Sequence, residues 1–235
     1  IAASIQAEAA FTAKDVLFDW TSFDVPKGAN KLVDITFLVR TTDGTYQEKD
    51  TVLYFAKSKA GGATAPSSIG TQHATANGTS YYDHVIGSAQ IMATDYKEGL
   101  DFLAIANLGH GAASNHSPNI VLQGEPESGT NVGFDKLYVA STCGTFNFAS
   151  TVQVATETAT NTKEVVVKTT NALRVFSVGD VLHDEDDQLI GTIAAIAANG
   201  TDITLESNAA NVSAVNKDLY NLSPVKLILS FESGK

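Results

Sequence analysis

The sequence predicts an all-β protein, with a jelly-roll or β-sandwich main domain and a second, small β-barrel-like module. Short segments alternate apolar and polar residues with the period of two that is typical of half-buried strands. These segments are separated by turns rich in Gly, Pro and Asn, as in sandwiches and barrels. No stretch shows the apolar spacing of a long amphipathic helix.

The first 150 residues supply the strands of the main domain. A first strand opens at Val16, and a second covers 31–40, where Val33, Ile35, Phe37 and Val39 share one face. The turn formers at 42–44 predict a hairpin in which 51–57 pairs with this second strand. The Gly/Ser/Thr-rich stretch 58–80 predicts a long exposed loop. Further strands are expected at 100–108, 120–122, 134–140 and 145–149.

The small module has the clearest pattern, between Val175 and Glu206. Asn199-Gly200 predicts a tight hairpin turn with positive φ at both residues, so the apolar segments before and after it should pair antiparallel. The acidic stretch 184–187 predicts a solvated turn; a weak Ca²⁺ or Mg²⁺ site is the alternative, although the EF-hand spacing is absent. The Thr-rich stretch 151–164 is interpreted as the crossing between the two domains.

The last strand predicts that the module is an insertion. Val225, Leu227, Leu229 and Phe231 share one face of a strand that begins after Pro224. Because the ends of a domain often lie close together, this strand is expected to return to the first domain. The predicted main domain is therefore 1–150 plus 225–235, and the module is 151–224.

Composition limits the function classes. Of the 235 residues, 43% are hydrophobic and only 17% are charged, and the formal net charge is −11. Nucleic-acid binding requires clustered Lys and Arg, which the chain lacks, and acidic lipid surfaces are disfavoured for the same reason. We expect no signal peptide in residues 1–15 and no membrane-spanning segment.

No reaction motif is found. The serine nucleophile elbow, the P-loop and the dinucleotide fingerprint are all absent. Cys143 is expected to be a buried, unreactive thiol. His110, His116, Glu125 and Glu127 are residue types that bind zinc, but their spacing fits no zinc motif and a solvated loop is favoured. We therefore expect no catalytic residues, metal or cofactor. A pair of catalytic carboxylates carries no local motif, so the candidates by residue type are Asp83, Asp95, Asp101 and Asp135.

Four residues are candidates for contacts with another protein. Ile5 and Phe11 lie in the Ala-rich stretch 1–15, which is either an arm reaching a neighbouring subunit or a frayed terminus. Tyr81 and Tyr82 follow the predicted loop and form either a contact patch or one core and one rim residue.

Two stretches resemble structural proteins of tailed bacteriophages, particularly marine and cyanobacterial ones. The first is DVLFDWTSFDVPKGANKLVDITFLVR followed by TVLYFAKS, and the second is FSVGDVLHDEDDQLIGTIAAI with ITLESNAA and the closing LYNLSPVKLILSFE. The nearest type is a capsid decoration (cement) protein. The resemblance implies β-sandwich or jelly-roll modules that cap capsomer junctions on the capsid exterior, often as trimers, in contact with the major capsid protein or other virion proteins.

Three functions are expected in the following order. The first is a non-enzymatic capsid decoration protein that gains affinity through multivalent contacts. The second is a tail- or fibre-associated protein that binds host-surface glycans, for which Trp20 and the two tyrosines are stacking candidates, although a core position is favoured for Trp20. The third is a carbohydrate-active enzyme using unrecognised carboxylates.

Overall fold

The computed structural model describes residues 10–25, 28–40, 48–58, 65–72, 74–78, 84–97, 103–109, 118–124, 136–146, 148, 150 and 152–233. It confirms the all-β fold. The described elements are one short helix, α1 (Ala172–Val175), a 3₁₀ turn (Ala93–Asp95) and fourteen strands: β1 (Asp15–Asp24), β2 (Gly28–Arg40), β3 (Thr51–Lys57), β4 (Val85–Ile91), β5 (Tyr96–Lys97), β6 (Leu103–Leu108), β7 (Ile120–Gly124), β8 (Lys136–Cys143), β9 (Glu164–Val166), β10 (Val181–Asp184), β11 (Leu189–Ile196), β12 (Asp202–Leu205), β13 (Leu219–Asn221) and β14 (Val225–Ser233). Among the described residues, no helix has the length and apolar character that a membrane crossing requires.

Two antiparallel sheets form the main sandwich. The first sheet has the strand order β1-β8-β3-β4, and the second has the order β14-β2-β6-β5. Strand β7 also pairs with β2, beyond the end of β6. Since β6 pairs with 35–40 and β7 with 28–32, the two strands act as one long strand interrupted at 109–119.

Alternation along the strands builds the sandwich core. In β2, Ile35, Phe37 and Val39 are fully buried, while the residues between them are only half-buried. Aromatic rings fill much of the space between the sheets, and their packing contributes beyond the area that they bury. The fully buried phenylalanines are Phe11, Phe18, Phe37, Phe55, Phe146 and Phe148.

The module is a small barrel. Its sheet has the order β13-β10-β11-β12-β9, and residues 152–155 close it by pairing with both outer strands. Val154 N–H donates to the carbonyl of Lys217 (2.9 Å) on one side, and Ala155 N–H donates to that of Val166 (2.8 Å) on the other. The stretch 151–164, predicted as a crossing, therefore contributes to the barrel itself, and Val152 and Val154 are fully buried in its core.

Strand β14 follows the barrel and lies in the sandwich. It pairs with β2 from Val225 opposite Val39 to Ser233 opposite Asn30. Strand β8, the last sandwich strand before the barrel, belongs to the first sheet, whereas β14, which follows the barrel, belongs to the second sheet. The barrel is thus attached to the sandwich at both of its ends.

One pairing prediction was wrong. Strand β3 does not pair with β2; it pairs with β4 and β8, which belong to the other sheet. The stretch predicted as a long exposed loop, 58–80, is exposed at most of its described residues, but one part of it lies against the sandwich. Residues 69–77 run along the outer edge of β1, where Val16 N–H donates to the carbonyl of Ala74 (3.0 Å), and Ile69 is fully buried.

The hairpin predicted at Asn199-Gly200 is present with a longer turn. Strands β11 and β12 pair antiparallel as expected, from Ile196 opposite Ile203. Only Gly200 has positive φ (+71°), whereas Asn199 uses its side chain to accept a hydrogen bond from Thr201 N–H (3.1 Å). The turn is therefore held by an Asx-type hydrogen bond rather than by two left-handed residues.

Candidate contact surface

The structure places the four predicted contact residues as follows. Phe11 is 1% exposed, and its ring packs edge-on against Phe148 at a centroid distance of 5.8 Å. Its backbone N–H donates to the carbonyl of Phe146 (2.7 Å). Phe11 is therefore a core residue of this chain and offers no surface to a partner, which corrects the prediction. Ile5, Tyr81 and Tyr82 lie outside the described residues.

Trp20 has a structural role in the sandwich. Its ring packs partly against the small cluster of Val16, Ile69 and Ala140. Its indole N–H donates to the carbonyl of Ser67 (3.0 Å), which helps hold the covering segment on β1. These contacts use the side chain within the fold and do not favour a sugar-stacking role.

The acidic turn at 184–187 is structured by its own carboxylates. The buried Asp184 accepts hydrogen bonds from Asp186 N–H and Gln188 N–H (both 3.0 Å) and from the Ser213 hydroxyl (3.1 Å). Lys217 lies 2.6 Å from a Glu185 carboxylate oxygen. The hydrogen bonds that Lys217 donates to Glu185 and, to a smaller extent, to Asp186 raise the pKa of Lys217. The carboxylates are thus engaged by protein donors.

The predicted metal and catalytic candidates fall in two groups. His110, His116, Glu125 and Glu127 lie outside the described residues, as do Asp83, Asp101 and Asp135. Asp95 is fully buried, and its carboxylate accepts a hydrogen bond from Met92 N–H (2.8 Å), so it caps the 3₁₀ turn. In the part of the chain that the structure describes, no group of three or more His, Cys, Asp or Glu side chains is placed to hold a metal ion.

Cys143 is buried, as predicted. The thiol is 4% exposed and donates weakly to the carbonyl of Asp15 (3.7 Å). Burial, with a smaller contribution from the Asp15 carboxylate, raises the pKa of the thiol from 9.0 to about 12. At neutral pH the group is a protonated thiol and not a nucleophilic thiolate.

The outer face of the second sheet has features of a contact surface. It carries Val121 on β7 and Ile228 on β14, which are 70% and 45% exposed. A shallow groove of about 270 Å³ runs along one end of this face, lined by β2, β7 and β14. Lys31 lies in that groove between Val121 and Glu232 in the strand register. Apolar side chains bordered by charges of both signs are typical of a protein-binding surface. We call this face the outer sheet face.

The β1 edge of the first sheet and the β14 edge of the second sheet differ in whether another segment covers them. The start of the β1 edge is covered by the segment at 69–77, where Val16 N–H donates to the carbonyl of Ala74 and Ala76 N–H donates to that of Lys14. Strand β14 lies at the corresponding edge of the second sheet, and no described segment pairs with its side turned away from β2. Sequence reasoning missed this open edge, because the alternation in 225–232 predicts a strand but not its position in a sheet.

A single ion pair links the barrel to the sandwich among the described residues. The guanidinium of Arg40, at the end of β2, contacts the carboxylate of Asp180 in the barrel. Asp180 also accepts a hydrogen bond from Ser177 N–H (2.7 Å), which fixes the orientation of the carboxylate. The contact lies where the chain passes from the barrel into β14.

Comparison of the chain with protein-family models, with curated proteins and with solved structures found no match.

Proposed function

We propose that the chain is a non-enzymatic virion structural protein that decorates the exterior of a bacteriophage capsid and stabilises it through contacts with the major capsid protein. The observation that carries the proposal is the insertion of the barrel into the sandwich. The chain leaves the first sheet at β8 and re-enters the second sheet at β14. This arrangement supports a sandwich that is seated on the shell and a barrel that is displayed from it.

The outer sheet face is the proposed seat. Val121 and Ile228 supply exposed apolar area, and Lys31 and Glu232 supply charges of both signs beside it. Individual contacts of this size are weak, but copies linked in one oligomer bind the shell more tightly than any single copy, because the later contacts become intramolecular. The net charge of −11 is compatible with an exterior position, away from packaged nucleic acid.

Particle stability tests the proposal directly. Particles assembled with the chain and particles lacking it would be heated or osmotically shocked, and release of nucleic acid would be followed with an intercalating dye. We expect release at lower temperature without the chain and recovery when the purified chain is added back. Equal release from both kinds of particle, or failure of the chain to co-sediment with them, would contradict the proposal.

A matched pair of valines tests the proposed seat. Val121 and Val178 are 70% and 67% exposed, but the first lies on the outer sheet face and the second on the barrel. We expect Val121→Glu to reduce co-sedimentation with particles, because it places a charge in an apolar contact. Val178→Glu changes the net charge equally and should leave co-sedimentation unchanged.

A further inference from the structure

Among the described residues, the side of β14 turned away from β2 forms a long, regular free edge. Over residues 226–233 the strand has no described partner on the side turned away from β2. The one register shift in the β14–β2 ladder places the extra residue, Val33, on β2, so β14 itself remains regular. A regular unpaired edge is a template for another strand.

The direction of the backbone groups follows from one hydrogen bond. Arg40 N–H donates to the carbonyl of Pro224 (2.7 Å), which lies directly opposite it. In an antiparallel ladder the inward and outward groups alternate along the strand. The N–H and C=O groups of Leu227, Leu229 and Phe231 therefore point to the free edge, while those of the residues between them point to β2.

The same edge is complementary to itself. If two copies of β14 run antiparallel about a two-fold axis at Leu229, the outward backbone groups of Leu227 face those of Phe231 in the other copy. In this register Lys226 lies directly opposite Glu232, and Ile228 lies opposite Ser230. Shifting the strands by two residues in either direction preserves the backbone match but separates Lys226 from Glu232. Backbone geometry and charge thus select one register.

We propose that a second copy of this chain occupies the free edge, by pairing of β14 with β14 about this two-fold axis. The pairing joins the second sheets of two sandwiches into one continuous sheet. Leu227, Leu229 and Phe231, which are only half-buried in the single chain, gain cover from their counterparts. Phe231 already stacks on Phe23 (centroid distance 6.3 Å), so the added cover extends an existing aromatic cluster.

The charged residues on β14 argue for this occupant. Edge strands are often protected by charged residues of one sign, which repel another copy. Here Lys226 and Glu232 are both exposed and of opposite sign, so two antiparallel copies attract at both ends. Exposed ion pairs add little affinity; their role is to fix direction and register, while the backbone and apolar groups hold the strands together.

This two-fold contact differs from the trimer that the resemblance implies. A pairing of one edge with itself is isologous and closes at two copies, whereas a three-fold ring requires two different surfaces. The inference does not depend on the proposed function: a dimer that fails to bind particles would leave the inference standing and overturn only the decoration role.

Charge exchange is the first test. The mass of the 24.7 kDa chain would be measured by size-exclusion chromatography with light scattering, and the dimer dissociation constant by sedimentation. We expect a dimer for the parent chain. Lys226→Glu and Glu232→Lys should each weaken it about tenfold, because the two-fold axis creates two like-charge pairs in each variant. The double variant carrying both substitutions should restore the parent affinity.

Lys97→Glu is the matched control. Lys97 is exposed on β5, the opposite edge strand of the same sheet, so the substitution changes the charge equally but away from the pairing. Its dimer affinity should equal that of the parent, and far-UV circular dichroism should show all variants folded. A parent chain that is a monomer or a trimer overturns the proposal, as does a double variant that remains as weak as the single variants.

A disulfide test measures the register. Ile228 and Ser230 lie opposite each other in the proposed pairing as a non-hydrogen-bonded pair, with Cα atoms about 4.5 Å apart. An equal mixture of Ile228→Cys and Ser230→Cys chains should therefore form a covalent dimer of the two different chains under mild oxidation. Each variant alone places its cysteines diagonally, beyond the usual range for a disulfide. Cross-linking no greater in the mixture than in the single variants overturns the register.

Discussion

Two glycines of the barrel have left-handed backbone conformations but different surroundings. Gly200 (φ +71°) would place a Cβ 2.3 Å from the carbonyl oxygen of Thr170, whereas Gly179 (φ +90°) faces open space. At both positions Ala would place a Cβ in the sterically disfavoured left-handed region, at a cost of about 1–2 kcal/mol. Gly200→Ala must also displace a backbone carbonyl, so it should lower the free energy of unfolding more than Gly179→Ala. Urea unfolding measures both, and equal costs would contradict the predicted clash.

The buried thiol of Cys143 makes a pH-dependent contribution to stability. Its pKa is about 12 in the folded chain against an ordinary value of 9.0, because burial disfavours the thiolate. Above about pH 9 the unfolded chain releases this proton while the folded chain keeps it, so the contribution is complete below pH 9 and is lost as pH rises towards 12. The stability cost of Cys143→Ala should therefore be smaller by about 2 kcal/mol at about pH 10.5 than at about pH 7.5.

A neighbouring apolar residue is the control for this pH effect. Val139 is buried on the same strand and carries no titrating group. The cost of Val139→Ala should be the same at both pH values, because the difference between parent and variant cancels all other titrations. If the cost of Cys143→Ala is also independent of pH, the thiol ionises as easily in the folded chain as in the unfolded one.

The segment that covers β1 shows how an element outside the regular strands protects a sheet edge. Ile69 is fully buried against Val16 and Ala140, and Asn77 N–H donates back to its carbonyl (2.7 Å). Ile69→Ala should lower the free energy of unfolding by about 2–4 kcal/mol, because it leaves a cavity under the segment. It should also speed hydrogen exchange of the β1 amides that this segment covers. Chemical unfolding and exchange mass spectrometry measure the two effects.

Ser67→Ala is the matched change in the same segment. The Ser67 side chain is exposed, and Trp20 bonds its backbone carbonyl, which the substitution keeps. Stability should change by no more than about 0.5 kcal/mol. Normal exchange protection of β1 in Ile69→Ala would mean that the segment does not shield this edge.

The same elements show how far the sequence determines the fold. Alternation identified β2 and β14 because each buries one face, and alternation depends only on local sequence. It did not identify the partners of β3, because alternation shows which face of a strand is buried but not which strands pair with it. The predicted module bounds, 151–224, include residues 152–155, but the closing role of this segment was not predicted, because it is short and buries only two large side chains, Val152 and Val154.

The contact surface was less predictable than the strands. Phe11 was predicted to contact another protein because it is an apolar residue in a possible arm, but its ring packs against Phe148 of the same chain. The exposure of Val121 and Ile228 follows from their place on the outer sheet face, which depends on pairing between distant segments. A surface assembled from β2, β7 and β14 has no local sequence pattern.

At the scale of the whole molecule, the chain contains two separate cores. The sandwich core and the barrel core share no buried residue in the described chain. The two ends of the barrel segment also meet, since Leu219 N–H donates to the carbonyl of Val152 (2.9 Å) and the Ser150 hydroxyl donates to that of Leu219 (2.6 Å). A segment with its own core and adjacent ends meets the criteria of an independent folding unit.

We therefore predict that residues 150–223 fold alone. The isolated segment should give dispersed amide resonances that overlay those of the barrel in the full chain, because the Arg40–Asp180 pair is its only described ion pair to the sandwich and partly exposed pairs add at most about 1 kcal/mol. Asp184→Ala should destabilise the barrel by the same amount in both contexts, since its hydrogen-bond partners Asp186, Gln188 and Ser213 are all internal. A segment that is unfolded alone, or a cost of Asp184→Ala that differs between the contexts, would show that the sandwich is needed to stabilise the barrel.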